Sequence, residues 1–267
     1  MKKNESRFLS LTAVLYPLLF GVLLIALWQG QILHKLLNTT TLILPLPTRI
    51  LSVISDNLPA IAADTWATVS VILPGLVLGS IIGYLLAVFA TNSPRFGATG
   101  LTIIAAISAV PTVALAAVIL QWTRDVSTDV SVRSYVMKLI IVTVVSVASM
   151  TLNAYRGLTE LKPFALDLMK SYAAGKMTVL LKLMAPNSLP YIFTSLKVSV
   201  PACVIAALVS EYFAEKITGV GRRIRECILQ AQYSTAWAYI VTACVIGIVL
   251  FAALMAAEKL IMRKRNS

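Results

Sequence analysis

The chain has 267 residues and a mass of 28.8 kDa; 58% of it is apolar and 13% charged, against roughly 45–50% and 25% in ordinary soluble domains. With a mean hydropathy of +0.86 there is too little polar surface to coat a soluble globule, so an all-α polytopic membrane protein is expected. With only 12 Gly, 11 Pro and 3 Cys, the composition excludes collagen-like and disulfide-scaffold chains, and its hydrophobicity excludes disorder.

A spanning helix needs about 20 mostly apolar residues. Six stretches meet that length: Phe8–Trp28, Trp66–Ala90, Leu101–Trp122, Tyr135–Asn153, Leu189–Ser210 and Ala236–Ile261. The first follows Lys2, Lys3 and Arg7 and has no small-residue cleavage site, so it reads as a retained helix rather than a signal peptide. One transmembrane domain is therefore expected over residues 8–262, between short tails at 1–7 and 263–267. Between the first two spans, Leu44-Pro45-Leu46-Pro47 reads as an extended corner. Pro47–Ala62 follows as an interfacial helix, and Asp64 or Thr65 as the cap of the second span. Gly75, Gly79 and Gly83 recur every four residues and predict close helix packing; Pro111 and Pro201 are possible hinges.

The net charge of +12 could suggest a nucleic-acid partner, but its placement serves topology. Lys2, Lys3, Arg7, Arg95, Arg156, Lys162, Lys170, Lys176, Lys182, Lys259, Arg263, Lys264 and Arg265 fall on one side of the six-span frame, outnumbering those opposite. The positive-inside rule makes that side cytoplasmic, with both termini, in a membrane of the bacterial inner-membrane type. Cys203, Cys227 and Cys244 lack metal-ligand spacing and the chain has one His, so packing cysteines and no metal site are expected.

The inside loop, Ala154–Ser188, is the long one. At about 100° per residue Lys162, Asp167 and Lys170 share a helix face, whereas Lys176 and Lys182 would scatter on the same helix. Two short helices with a break near Ala173-Ala174-Gly175 are predicted, a device for docking beyond the bilayer or a loop resting on headgroups.

Asp167-Leu168-Met169-Lys170-Ser171-Tyr172-Ala173-Ala174-Gly175, then Leu183-Met184-Ala185-Pro186 and Leu189-Pro190-Tyr191, resembles the cytoplasmic signature of binding-protein-dependent ABC importer permeases. That signature reads E-A-A, three residues, G, nine residues, a hydrophobic residue, x, L-P. Asp167 stands at its Glu, Ala173 at its Gly and Pro186 at its closing proline with the spacing kept; Leu168, Met169 and Ala185 also depart from it. Leu44-Pro45-Leu46-Pro47-Thr48, Ala109-Val110-Pro111-Thr112 and Gly219-Val220-Gly221 agree with the nitrate, sulfonate, taurine and pyrimidine-precursor branch.

The resemblance implies a six-span type I permease, working as a dimer, whose coupling helix docks into a groove on each of two cytoplasmic ATPases, with an external solute-binding protein. Asp167, Tyr172, Ala173, Ala174, Gly175, Lys176, Met177 and Pro186 would form the coupling region, with Tyr172 and Met177 as apolar anchors and Asp167 holding the loop against a nearby Lys or helix end. The chain has no phosphate-binding G-x-x-x-x-G-K-[ST] and no catalytic constellation. No enzyme activity and no cofactor of its own are expected; ATP and Mg would belong to the partner ATPase.

Sparse polar side chains in apolar spans are the candidates for a translocation path: Ser108 and Thr112 beside Pro111, Ser146, Ser149, Asn153, Ser199 and Ser210. Each could instead bond to its own helix or a neighbouring one. Lys197 is expected to snorkel, and Glu211 to meet the binding protein or pair with Lys216. A carrier driven by an ion gradient stays open as the alternative.

Overall fold

The computed structural model describes residues 2–266, with the backbone alone at 2–14, 94–96, 98, 107 and 264–266. The described residues form helices and turns, with no strand among them. In chain order these are α1 (Lys2–Gln29), α2 (Ile32–Leu36), α3 (Pro47–Asp56), α4 (Leu58–Asn92), α5 (Pro94–Ser108), α6 (Thr112–Thr123), α7 (Val130–Thr159), α8 (Ala165–Ser171), α9 (Lys176–Val179), α10 (Ala185–Phe213), α11 (Val220–Leu229) and α12 (Tyr233–Asn266). The expected tails are drawn into α1 and α12; Met1 and Ser267 lie outside the described residues, as do the side chains of Lys2, Lys3, Arg7, Arg95, Lys264 and Arg265.

Four helices among the described residues are long and apolar enough to cross a membrane: Leu58–Asn92, Val130–Thr159, Lys176–Phe213 and Tyr233–Arg263. At their centre α4, α7 and α10 pack together, and glycines set the spacing. A Cβ added at Gly75 would come within 2.6 Å of Val142 Cγ1, and one at Gly83 within 2.7 Å of the Val147 carbonyl oxygen. The four-residue repeat therefore faces α7 and lets two backbones approach. Ile72, Val142, Met137 and Ile141 fill the space beside it without solvent exposure.

The third expected span is two helices. Pro111 has no N–H to donate and holds Val110 out of the helical region, so α5 stops at Ser108 and α6 restarts with Pro111 as its N-cap (φ −59°, ψ 127°).

The loop expected at Ala154–Ser188 is shorter, because α7 continues to Thr159 and helix resumes at Lys176. The second of the two short helices is the start of the fifth span: α9 runs through a π turn, Leu180–Met184, into α10 without interruption. Pro186 and Pro190, expected to bound the loop, sit inside that helix. The wider π turn directly precedes Pro186, where the proline withholds a hydrogen-bond donor.

The second span also starts early, at Leu58. Asp64 is consequently in the interior of α4 and does not cap that span; α3 ends at Asp56, short of the expected Ala62. The α2–α3 connection is held to α12 by Trp237, whose indole N–H donates to the Ile43 carbonyl at 3.0 Å and whose ring meets Trp28 edge-on at 5.5 Å.

Candidate functional site

Long antiparallel helices give the molecule two ends, one carrying α8 and one carrying α11, with a cavity between them. At the α11 end, Gly219 takes φ +98° and a Cβ there would collide with the Glu211 carboxylate; one at Gly221 would collide with the Leu208 backbone. These glycines let the first turn of α11 drop onto α10. Its unpaired N–H groups then meet acceptors. Gly219 donates to Asp64 Oδ1 at 3.1 Å, Val220 to Thr68 Oγ1 at 3.0 Å and Gly221 to Glu211 Oε2 at 2.8 Å.

The acceptors are tied in turn. The Thr68 hydroxyl donates to Glu211 Oε1 at 2.9 Å, and Asp64 Oδ2 accepts from Arg223 Nε at 3.0 Å and the Tyr239 hydroxyl at 2.9 Å. Lys138 Nζ lies 3.9 Å from Glu211 Oε1. Glu211 and Thr68 are fully buried and Asp64 nearly so. Glu211, expected to meet a binding protein or pair with Lys216, therefore offers no surface and faces Lys138; α11 closes over it. Nearby on α11 and outside the long helices, burial pushes the Cys227 thiol up, which keeps it protonated, and all three cysteines are free.

At the other end, a fixed base carries an exposed tip. The Asn187 side chain donates to the carbonyls of Gly157 at 2.8 Å and Glu160 at 3.1 Å, satisfying the end of α7, and the Tyr191 hydroxyl donates to Glu160 Oε2 at 3.0 Å. From that base the chain enters α8 through Phe164 at φ +62° and leaves it through Ala173 at φ +49°. The left-handed residue is thus Ala173, where the signature has Gly; Gly175 takes an ordinary φ of −67° as the N-cap of α9, with open space around it.

Asp167 pairs with Lys170 at 3.1 Å. Tyr172 is 76% exposed and Met177 66%, and Phe164, Leu168 and Leu181 are exposed with them. Ala174 lies between Ala173 and Gly175 in the same turn, and Lys176 opens α9. Pro186 is remote from this tip, inside the continuous helix.

Between the two ends a cavity of about 300 Å³ opens at the α5–α6 break. Ser108, Thr112, Ser149 and Asn153 supply its polar lining, and Leu115 and Val198 part of its apolar wall. Pro111 itself is exposed in the break, between lining residues Val110 and Thr112. Ser108 donates to its own helix at Ile104, and the Asn153 amide donates to the Ser149 carbonyl at 2.9 Å.

The remaining path candidates are turned elsewhere. Ser146 donates to the Leu76 carbonyl at 3.1 Å inside the α4–α7 contact, Ser210 back-bonds to Ala207 at 2.7 Å, and Ser199 is buried without a hydrogen-bond partner among the described residues. Lys197 pairs with Glu258 of α12 at 2.7 Å, with its side chain partly exposed. Sequence reasoning passed over Asp64, Thr68, Lys138 and Tyr239 as site residues. The available signal was Lys138, an ionisable group inside an apolar run.

Residues 75–266 match the family model described as "Binding-protein-dependent transport system inner membrane component". The chain is 27% identical over 260 residues to the formylaminopyrimidine transport permease protein ThiX of Halalkalibacterium halodurans, covering 94% of this chain and 96% of that one. It is 25% identical over 199 residues to a probable ABC transporter permease protein of Haemophilus influenzae, covering 74% and 77% respectively. Among solved structures, an amino acid ABC transporter with histidines superposes with a TM-score of 0.62 at 15% identity, over 79% of this chain and 96% of that one. The methionine ABC transporter MetNI, in inward-facing form, gives 0.60 at 15%, over 78% and 96%.

Proposed function

The chain belongs to the family of binding-protein-dependent transport system inner membrane components, a transport permease and not an enzyme, and we propose that it forms the translocation path of an ATP-driven importer. In this reading the α8 end is cytoplasmic, as are both termini, in an inner membrane. Two copies of the chain pair, and each docks its α8 turn on a separate ATPase that binds ATP and Mg. A solute-binding protein delivers the solute at the α11 end.

One observation carries the reading. Tyr172 and Met177 stand exposed on either side of a turn of small residues, on a base pinned by Asn187 and Tyr191. Apolar anchors flanking small residues suit a groove in another protein, and an anchored base lets force at the tip reach α7 and α10. The two copies must also exist in distinguishable states, since nucleotide shifts only an equilibrium whose states it binds unequally.

The α5–α6 cavity is the proposed path segment, with Thr112, Ser149 and Asn153 meeting the solute and Pro111 holding the break open. Its hydroxyl and amide lining suits a small polar solute. The ThiX relative makes a formylaminopyrimidine-like pyrimidine precursor the first to test, with nitrate, sulfonate and taurine as the comparison set.

The test is uptake in proteoliposomes containing the chain, the ATPase from its genetic neighbourhood and the matching binding protein. Uptake should require ATP and vanish when Gly175→Arg blocks the turn. A second reading draws on the ion pairs Lys197–Glu258 and Lys138–Glu211 within the long helices, which a gradient-driven carrier would use. Uptake that survives ATP depletion with an ion gradient intact would establish that reading and end the first.

A further inference from the structure

A second cavity, of about 400 Å³, lies between α4, α7 and the 214–219 segment, outside the knot of bonds at Glu211 and far from the α5–α6 break. Ser70, Ser131, Ser134, Tyr135, Lys138, Lys216 and Thr218 line it: two cations, five hydroxyl groups and no carboxylate. The wall is held in place. Ser134 accepts the Lys216 backbone N–H at 3.1 Å, and Arg133 and Arg124 both grip Glu215.

Lys138 is the informative member. Its side chain is 5% exposed, yet Glu211, its carboxylate neighbour, is 3.9 Å away, beyond hydrogen-bond reach. Glu211 instead accepts from Thr68 and Gly221, and among the described residues the ammonium makes no hydrogen bond on the knot side. An ammonium taken out of water at that cost should have acceptors for its protons, and the cavity is where they would sit. Tyr135, which lines the cavity, is 40% exposed, and Trp66, beside the lining residue Ala67 in the chain, is 71% exposed; both are amphipathic aromatics of the sort that settle at headgroup depth.

We propose that this cavity binds a phosphate-class oxyanion, presented by the headgroup of an anionic lipid seated between α4 and α7. Lys138 supplies the inner ammonium and Lys216 the outer one, with Ser131 and Thr218 donating from the sides. The site depends on the chain lying in a bilayer and not on the transported solute or the ATPase, so it stands or falls separately from the proposed function.

The experiment uses the full chain in a neutral detergent and reads the midpoint of thermal unfolding. Phosphatidylglycerol should raise the midpoint by several degrees, while a galactosyl diacylglycerol with the same acyl chains should not. Lys138→Gln should abolish the shift, but it also strips Glu211 of its neighbouring cation and threatens folding. Lys216→Gln, at an exposed position, therefore carries the decision: it should fold normally and lose most of the shift. Sodium phosphate protecting the wild type but not Lys216→Gln, against chloride at equal ionic strength, would confirm the oxyanion site and identify a soluble anion as the source. Equal protection by both lipids, or a full phosphatidylglycerol shift in Lys216→Gln, would overturn the site.

Discussion

At one end of the bundle Glu211, Asp64 and Thr68 are sealed under α11 with their hydrogen bonds filled from inside the chain; at the other, Tyr172, Met177, Phe164 and Leu168 stand in the open with nothing of this chain to cover them. Both ends use a left-handed residue and a helix start. At Gly219 these bring a helix N-terminus onto buried acceptors, while at Ala173 they turn the chain outward. The difference separates what a single copy completes for itself from what it leaves for another protein to complete. A burial map of one chain thus distinguishes scaffold from interface, provided each buried polar group is traced to its partner.

The sealed end should be the fragile one when mutated. Glu211→Ala leaves Lys138 buried beside no carboxylate and frees the Gly221 N–H, and is expected to cost about 3–5 kcal/mol. The measurement is chemical unfolding of the detergent-purified chain. A loss under about 1 kcal/mol would mean that water already reaches the knot.

Gly219→Ala attacks the same end through the backbone. It places a methyl group against the Glu211 carboxylate at φ +98°, and should cost about 1–3 kcal/mol. In combination with Glu211→Ala the two losses should fall short of their sum, because the first substitution removes what the second collides with.

The α8 end should respond in the opposite direction. Ala173→Gly relieves a left-handed L-residue and restores the family's usual residue, so about 1 kcal/mol of stabilisation is expected, read as slower proteolysis in the 160–175 segment. If cleavage there quickens, the loss of chain stiffness in the open state outweighs the relieved strain.

Legibility in the sequence followed the range of each interaction. Four of the spans could be read because hydrocarbon thickness fixes a run length, and the turn at Ala173-Ala174-Gly175 because its residues are near neighbours in the chain. The break at Pro111 escaped a hydropathy window, which registers side-chain polarity and not a missing N–H. Boundaries at Asp64 and Ser188 slipped because helices continue past the apolar run into water. The knot was illegible for another reason: Asp64 and Tyr239 are 175 residues apart, and a window treats Glu211 as the edge of a span when it is the centre of a packed site. Gly219-Val220-Gly221 could be matched as a pattern, but its purpose, close approach to Glu211 and Leu208, exists only in three dimensions.

The smallest effect on the chain alone is the most telling about the comparison. Tyr172→Arg replaces a side chain that is 76% exposed and touches nothing essential to the fold, so unfolding of the isolated permease should shift by no more than about 0.5 kcal/mol. In the assembled system the same change places a charge where an apolar anchor should enter a groove, and truncating or charging such an anchor commonly costs about 2 kcal/mol or more of binding, roughly thirtyfold in affinity. ATPase co-purification and uptake should therefore collapse while the melting curve of the permease does not move. A permease whose unfolding shifted in step with uptake would place Tyr172 among the scaffold residues, and the contrast between a self-sufficient end and an end that needs a partner would be lost.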